Sequence, residues 1–96
     1  MITVRMYRKG SEVLVAACDK ELIGRTLREG EIQLEVSSFY EGEDATEEML
    51  INRLSMCTVA NLVGQRTVAA AAKHKLIDEE CVLLVEGVPH VQMVRM

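Results

Sequence analysis

Cys18 stands directly before Asp19, at the end of an apolar run where a strand would give way to a turn. A thiol there, close to the free N–H groups that open a helical turn, could have a lowered pKa and act as a nucleophile. His90, after Gly87-Val88-Pro89 in what reads as a turn, is the one base suited to partner it. The ordinary reading makes Cys18 the last core residue of its strand and Asp19 a helix cap. No positioning motif supports the pair, so the ordinary reading is preferred. Cys18, Asp19 and His90 stand as the candidates should the chain be an enzyme.

The same residue types raise a metal question. Cys18, Cys57, Cys81, His74 and His90 could supply four ligands. Structural zinc sites usually carry their thiolates as close pairs, because a tight turn then presents two sulfurs together. No such pair occurs, so all three cysteines are expected to be reduced, buried and metal-free, and no cofactor is implied. Gly24, Gly30 and Gly64 form neither a P-loop nor a dinucleotide fingerprint. The acids Glu41, Glu43, Asp44, Glu47 and Glu48 lack calcium-loop spacing and read as a solvated face.

The basic residues carry more. Residues 1–28 hold six Lys/Arg against three Asp/Glu, a net +3; residues 29–48 hold eight acids and no base, −8; residues 49–96 hold five bases and four acids, +1. Arg5, Arg8 and Lys9 lie in one segment of the basic end, and Lys20, Arg25 and Arg28 flank a short turn. If the two segments share a face, six cations meet there, and phosphate is the usual ligand of such a face. The competing reading is ordinary surface charge paired with Glu12, Glu21 and Glu29.

The elements that must position these groups follow from periodicity. Ile2, Val4 and Met6 alternate with Thr3, Arg5 and Tyr7, the mark of a half-buried strand. Gly10-Ser11 is a hairpin signal. Glu12–Cys18 reads as the partner strand, and its unbroken apolar run predicts burial on both faces in the middle of a sheet. Asp19–Gly24 reads as one helical turn that Asp19 caps and Gly24 closes. Arg25–Gly30 reads as a polar connector, residues 31–37 as a third strand and Phe39–Glu43 as a loop. Asp44 with Glu47 suggests a capping box, and Leu50, Ile51, Leu54 and Cys57 predict a helix near residues 45–57. Val59, Leu62, Val63 and the alanines 69–72 predict a second helix ending near Lys73–Lys75, with Gly64 as a break or a point of close packing. Residues 82–85 and 91–94 read as strands.

Ninety-six residues with 49% hydrophobic content and a net charge of −4 suit one domain with an aliphatic core. One Phe, two Tyr and no Trp weigh against a stacking platform for single-stranded nucleic acid. Three widely spaced cysteines are not a disulfide framework, Met1–Lys9 alternates rather than forming a signal peptide, and no apolar stretch approaches ~20 residues. A cytoplasmic location without membrane contact is the expectation.

Several stretches form an ordered set: Val15-Ala16-Ala17-Cys18-Asp19, Leu22-Ile23-Gly24, Arg28-Glu29-Gly30-Glu31, Phe39-Tyr40, Val59-Ala60-Asn61-Leu62-Val63-Gly64 and Gly87-Val88-Pro89-His90. In this order and spacing the chain resembles the archaeal domain-of-unknown-function family 424 over nearly its whole length. Gln65 departs from the acidic residue usual after Asn-Leu-Val-Gly, and Val91 from the Ala usual after Pro-His. The resemblance implies an archaeal cytoplasmic protein and brings no reaction, cofactor or catalytic residue. It draws attention to Asp19, Arg28, Glu29, Asn61 and His90.

These readings predict a single α+β domain over residues 1–96, with a mainly antiparallel sheet of about five strands and two helices on one face. Val13, Val15, Ile32, Leu34, Leu50, Leu54, Leu62 and Leu84 should be buried. The leading functional expectation is a non-enzymatic module that contacts RNA, or a translation-related protein–RNA assembly, through Arg5, Arg8, Lys9, Lys20, Arg25 and Arg28. A small enzyme using Cys18, Asp19 or His90 is the first alternative; a protein-binding or self-associating homo-oligomer is the second.

Overall fold

Alternation along Ile2–Lys9 becomes a strand (β1), which the Gly10-Ser11 turn folds back on Glu12–Asp19 (β2). A computed structural model describing residues 1–94 pairs them antiparallel from Ile2↔Asp19 to Lys9↔Glu12. Residues 15–18 of the β2 apolar run are buried, as expected, whereas Val13 and Leu14 are partly buried. Lys20–Leu22 then forms a single 3-10 turn that Gly24 closes at φ +91°. Asp19 precedes this turn without capping it through its side chain, which is committed elsewhere.

The Arg25–Gly30 connector is instead a strand, Thr26–Glu29 (β3), in a separate two-stranded sheet with Ile32–Glu35 (β4). Only Leu27 is apolar in β3, too little for alternation to register, yet Leu27 and the nearby Val36 are wholly buried. Ile32, expected inside, is 41% exposed because it sits beside the hairpin turn. The segment 39–43, expected as a loop, contributes to a 3-10 turn (Ser38–Tyr40) and an edge strand, Glu43–Ala45 (β5), paired with Ile2–Val4. Two of the three β5 residues are acids, so backbone pairing, not hydrophobic pattern, makes it a strand.

The first helix is Glu47–Leu54 (α1), shorter than expected. Its cap is Thr46, whose Oγ1 accepts from the Met49 N–H at 3.1 Å, rather than Asp44. The second correction is larger: Val59–Val63 is a strand (β6), and the helix begins only after Gly64, as Gln65–Lys73 (α2). A five-residue segment that is apolar but for Asn61 fits a buried strand as well as a helix, and periodicity alone does not separate them. Leu83–Val85 (β7) and Val88–Val94 (β8) complete the chain, with His90 inside β8 rather than in a turn.

Six strands in the order β5-β1-β2-β6-β8-β7 make the main sheet, antiparallel except for β2 with β6. Parity then divides its faces. Ile2, Val4, Val15, Ala17, Ala60, Leu62 and Val91 pack with Leu50, Leu54, Val68, Ala70 and Ala71 of the two helices. On the other face Ala16, Cys18, Val63 and Val85 pack with Leu22, Leu27, Val36 and Tyr40. The fold is thus α+β with both helices on one face, and a small hairpin covers part of the other. Val15, Leu50, Leu54 and Leu62 are buried as expected, while Val13 and Leu34 are partly buried. Leu84 is 55% exposed because β7 is an edge strand.

Denaturant unfolding should separate these leucines. Leu54→Ala should cost about 2–5 kcal/mol, as for a fully packed side chain. Leu84→Ala should cost less than about 0.5 kcal/mol. Equal losses would contradict the packing.

Candidate functional site

The parallel strands β2 and β6 both end where α2 begins, and Asp19 joins them. Its Oδ2 accepts from the Arg66 N–H at 3.1 Å, and its Oδ1 accepts from the Thr67 N–H and the Thr67 hydroxyl, each at 2.9 Å. Asp19 therefore caps a helix, as expected, but one 46 residues further along the chain than the predicted turn. Gly64 makes the approach feasible: at φ +112°, a Cβ there would meet Asp19 Oδ1 at 2.6 Å. A polar cavity of about 310 Å³ opens beside this end of β2, between Glu21, Arg25, Gln65 and Arg66. The start of α2 favours an anion, and Asp19 already supplies one from within the chain.

Cys18 precedes Asp19 but faces the opposite side of the sheet, in the hairpin-covered core. Burial pushes its thiol up to about 12, with the carboxylates of Asp19 and Glu21 adding to the shift. The lowered thiol pKa that a nucleophile needs is therefore reversed. His90 lies in the same lateral row, with Val63 between them, so two strand spacings of roughly 10 Å separate the pair. Burial also lowers the His90 pKa. Cys57 is buried, whereas Cys81, expected to be buried, is exposed in the 3-10 turn Glu79–Cys81. Among the described residues no three His, Cys, Asp or Glu side chains converge as metal ligands.

The six cations are dispersed. Lys20 is paired with Asp44 at 2.9 Å. Arg25 borders the cavity. Arg28, on β3, lies where Glu86 accepts its N–H at 2.7 Å and Glu29 accepts the Glu86 N–H at 3.0 Å, a reciprocal tether between the hairpin and the β7–β8 turn. Glu29 is thus a structural fastener. β7 is four spacings from β1, roughly 19 Å. Arg5, Arg8 and Lys9 remain together on β1, with Arg5 and Lys9 on the hairpin side of the sheet and Arg8 on the helix side. None of the three forms an ion pair among the described residues.

Beside them lies a cluster that composition argued against. All three aromatic residues of the chain converge: Tyr7 and Phe39 stack at 4.9 Å, and Phe39 meets Tyr40 edge-on at 5.4 Å. The Arg5 guanidinium carbon is 4.9 Å from the Tyr7 ring centre, and the Tyr7 hydroxyl donates to the Phe39 carbonyl at 2.7 Å. Asn61, singled out by the family-like stretch, is partly buried in mid-β6 on the same face. Its lateral neighbour Gln92 is a residue that sequence reasoning missed. The adjacent pair Phe39-Tyr40, in a chain otherwise nearly free of aromatics, was the available signal for the cluster.

Two outcomes check this geometry. Asp19→Ala removes the α2 cap and should destabilise the fold by about 1–2 kcal/mol; an unchanged melting curve would contradict the anchor. A thiol reagent should label Cys81 quickly and Cys18 only on unfolding. Because the folded Cys18 pKa is raised, its contribution to stability is complete below the free cysteine value of about 8.5. That contribution should fall as pH rises toward 12, and Cys18→Ala should flatten this slope.

No helix among the described residues is long and apolar enough to cross a membrane. A search of the curated proteins finds no match. Among solved structures, the fold is similar to the crystal structure of an uncharacterized conserved protein from Methanopyrus kandleri. The TM-score is 0.81 at 23% identity, covering 99% of this chain and 93% of that one. The model of the family described as "Protein of unknown function (DUF424)", the family that the sequence resembles, matches residues 7–96, and the chain belongs to it.

Proposed function

We propose that the protein is a non-enzymatic RNA-binding module that holds phosphates through Arg5, Arg8 and Lys9. The observation that carries this reading is the state of the β1 edge. β5 pairs only with Ile2–Val4, so among the described residues the segment 5–9 has no strand beside it on its outer side. Along this stretch Arg5, Arg8 and Lys9 form no ion pair among the described residues, and the stretch has no acid of its own. Cations on an exposed edge also keep it from pairing with another chain, so edge protection is the rival account. The expected surface of six cations contracts to these three, because Lys20 is paired with Asp44, Arg25 borders the cavity beside the start of α2 and Arg28 lies toward the far edge of the sheet. The reading carries with it a cytoplasmic location.

Two double reversals with the same change in net charge make the test. Arg5→Glu with Lys9→Glu should weaken binding to a short RNA at least tenfold, while Arg25→Glu with Arg28→Glu should change it far less. Three phosphate contacts on a single strand predict a log–log salt slope of about −2, and the first double variant should flatten it. Circular dichroism should report intact folds, since exposed charges shift stability by less than about 0.5 kcal/mol each. Equal weakening by the two variants, or wild-type affinity in the first, would overturn the reading.

A further inference from the structure

The β3–β4 hairpin covers only one end of its side of the sheet. Toward the β1–β2 turn the strand register sets Tyr7, Leu14, Val59 and Val94 side by side across four strands. Leu14 and Val59 are partly buried but belong to neither core, and Val94 is 66% exposed. The next row is Arg5, Ala16, Asn61 and Gln92. Among the described residues neither the Asn61 nor the Gln92 side-chain amide has a hydrogen-bond partner. Phe39, stacked on Tyr7, is 37% exposed at one border, and Lys9 lies at the same border. One acid, Glu12, faces this surface beside Lys9, and its carboxylate already accepts from the Thr58 hydroxyl at 3.1 Å.

We infer that this open half of the sheet face is a platform for single-stranded RNA, on which a base stacks against Phe39 while the Asn61 and Gln92 amides meet base edges. The inference rests on the RNA-binding reading above and adds the class of RNA. A flat apolar row suits unpaired bases, which have two apolar faces, whereas a duplex hides those faces within its stack. Arg5 and Lys9 flank the row where the phosphates of a strand laid across it would lie, so charge and shape agree on one occupant. Amides carry both donors and acceptors and match the exposed edges of unpaired bases. The scarcity of aromatics is no obstacle, since all three are gathered at this border.

The chain contains no tryptophan, so Phe39→Trp gives a single reporter at the platform while keeping the stack. A short unstructured oligoribonucleotide should quench its emission on binding, and a duplex of equal length should not. Phe39→Ala should weaken single-strand binding about tenfold, within the range measured for base–aromatic stacking. Asn61→Ala with Gln92→Ala should reduce preference among homopolymers without changing the salt slope. Steeply salt-dependent binding with no quenching, and with duplex held as tightly as single strand, would overturn the platform yet leave the phosphate contacts of β1 standing. Loss of all RNA binding would remove both readings. A dimer by light scattering that Leu14→Lys dissociates would identify a second copy as the occupant and overturn the platform.

Discussion

The parallel pairing of β2 with β6, closed by the Asp19 carboxylate, is the constraint from which the rest of the molecule follows. Two parallel strands cannot be joined by a tight turn, so the chain must travel from Lys20 to Thr58 before β6 can lie beside β2. That excursion supplies the small hairpin, the edge strand β5 and α1. Its end is fixed by three donors of α2 meeting one buried carboxylate, over a glycine that has no side chain to block the approach. A carboxylate that accepts backbone N–H groups at a helix start satisfies donors that would otherwise be unpaired. It also directs α2 back across β2, β6 and β8, sealing the helix side of the sheet.

The two faces of the sheet are therefore unequal. Two helices cover one side, whereas a hairpin of four-residue strands covers only part of the other. Glu29 and Glu86 fasten that hairpin toward the β7 edge, which leaves the β1–β2 turn end bare. Arg5 and Lys9, which form no ion pair among the described residues, lie at this bare end, and the groups that resemble catalytic ones do not. Cys18 is sealed under the hairpin with a raised pKa, and His90 is a strand residue two spacings away.

Much of this was legible in the sequence, and what was not has a physical reason. Alternation in β1, the unbroken run of β2 and the 3.6 periodicity of α1 each reflect a side chain's own burial, so they can be read locally. β6 could not, because Val59-Ala60-Asn61-Leu62-Val63 satisfies both a helix and a buried strand and only its neighbours decide. β5 and β3 are held by backbone pairing and by the single side chain of Leu27, which leave almost no hydrophobic trace. The cations were recognisable as residues, but which of them share an edge depends on strand order, and strand order is set by the non-local β2–β6 contact. Asp19 was legible as a cap and illegible as to which helix it serves.

The central claim, that RNA lies on the uncovered end of the sheet, is most directly tested by amide chemical-shift mapping during titration with a short single-stranded RNA. The account predicts shifts confined to residues 5–9, Leu14, Phe39, Val59, Asn61 and Gln92. The amides of α1 and α2 should stay in place. Shifts centred on the helix face or on the Asp19 cavity, or none at saturating RNA, would contradict it.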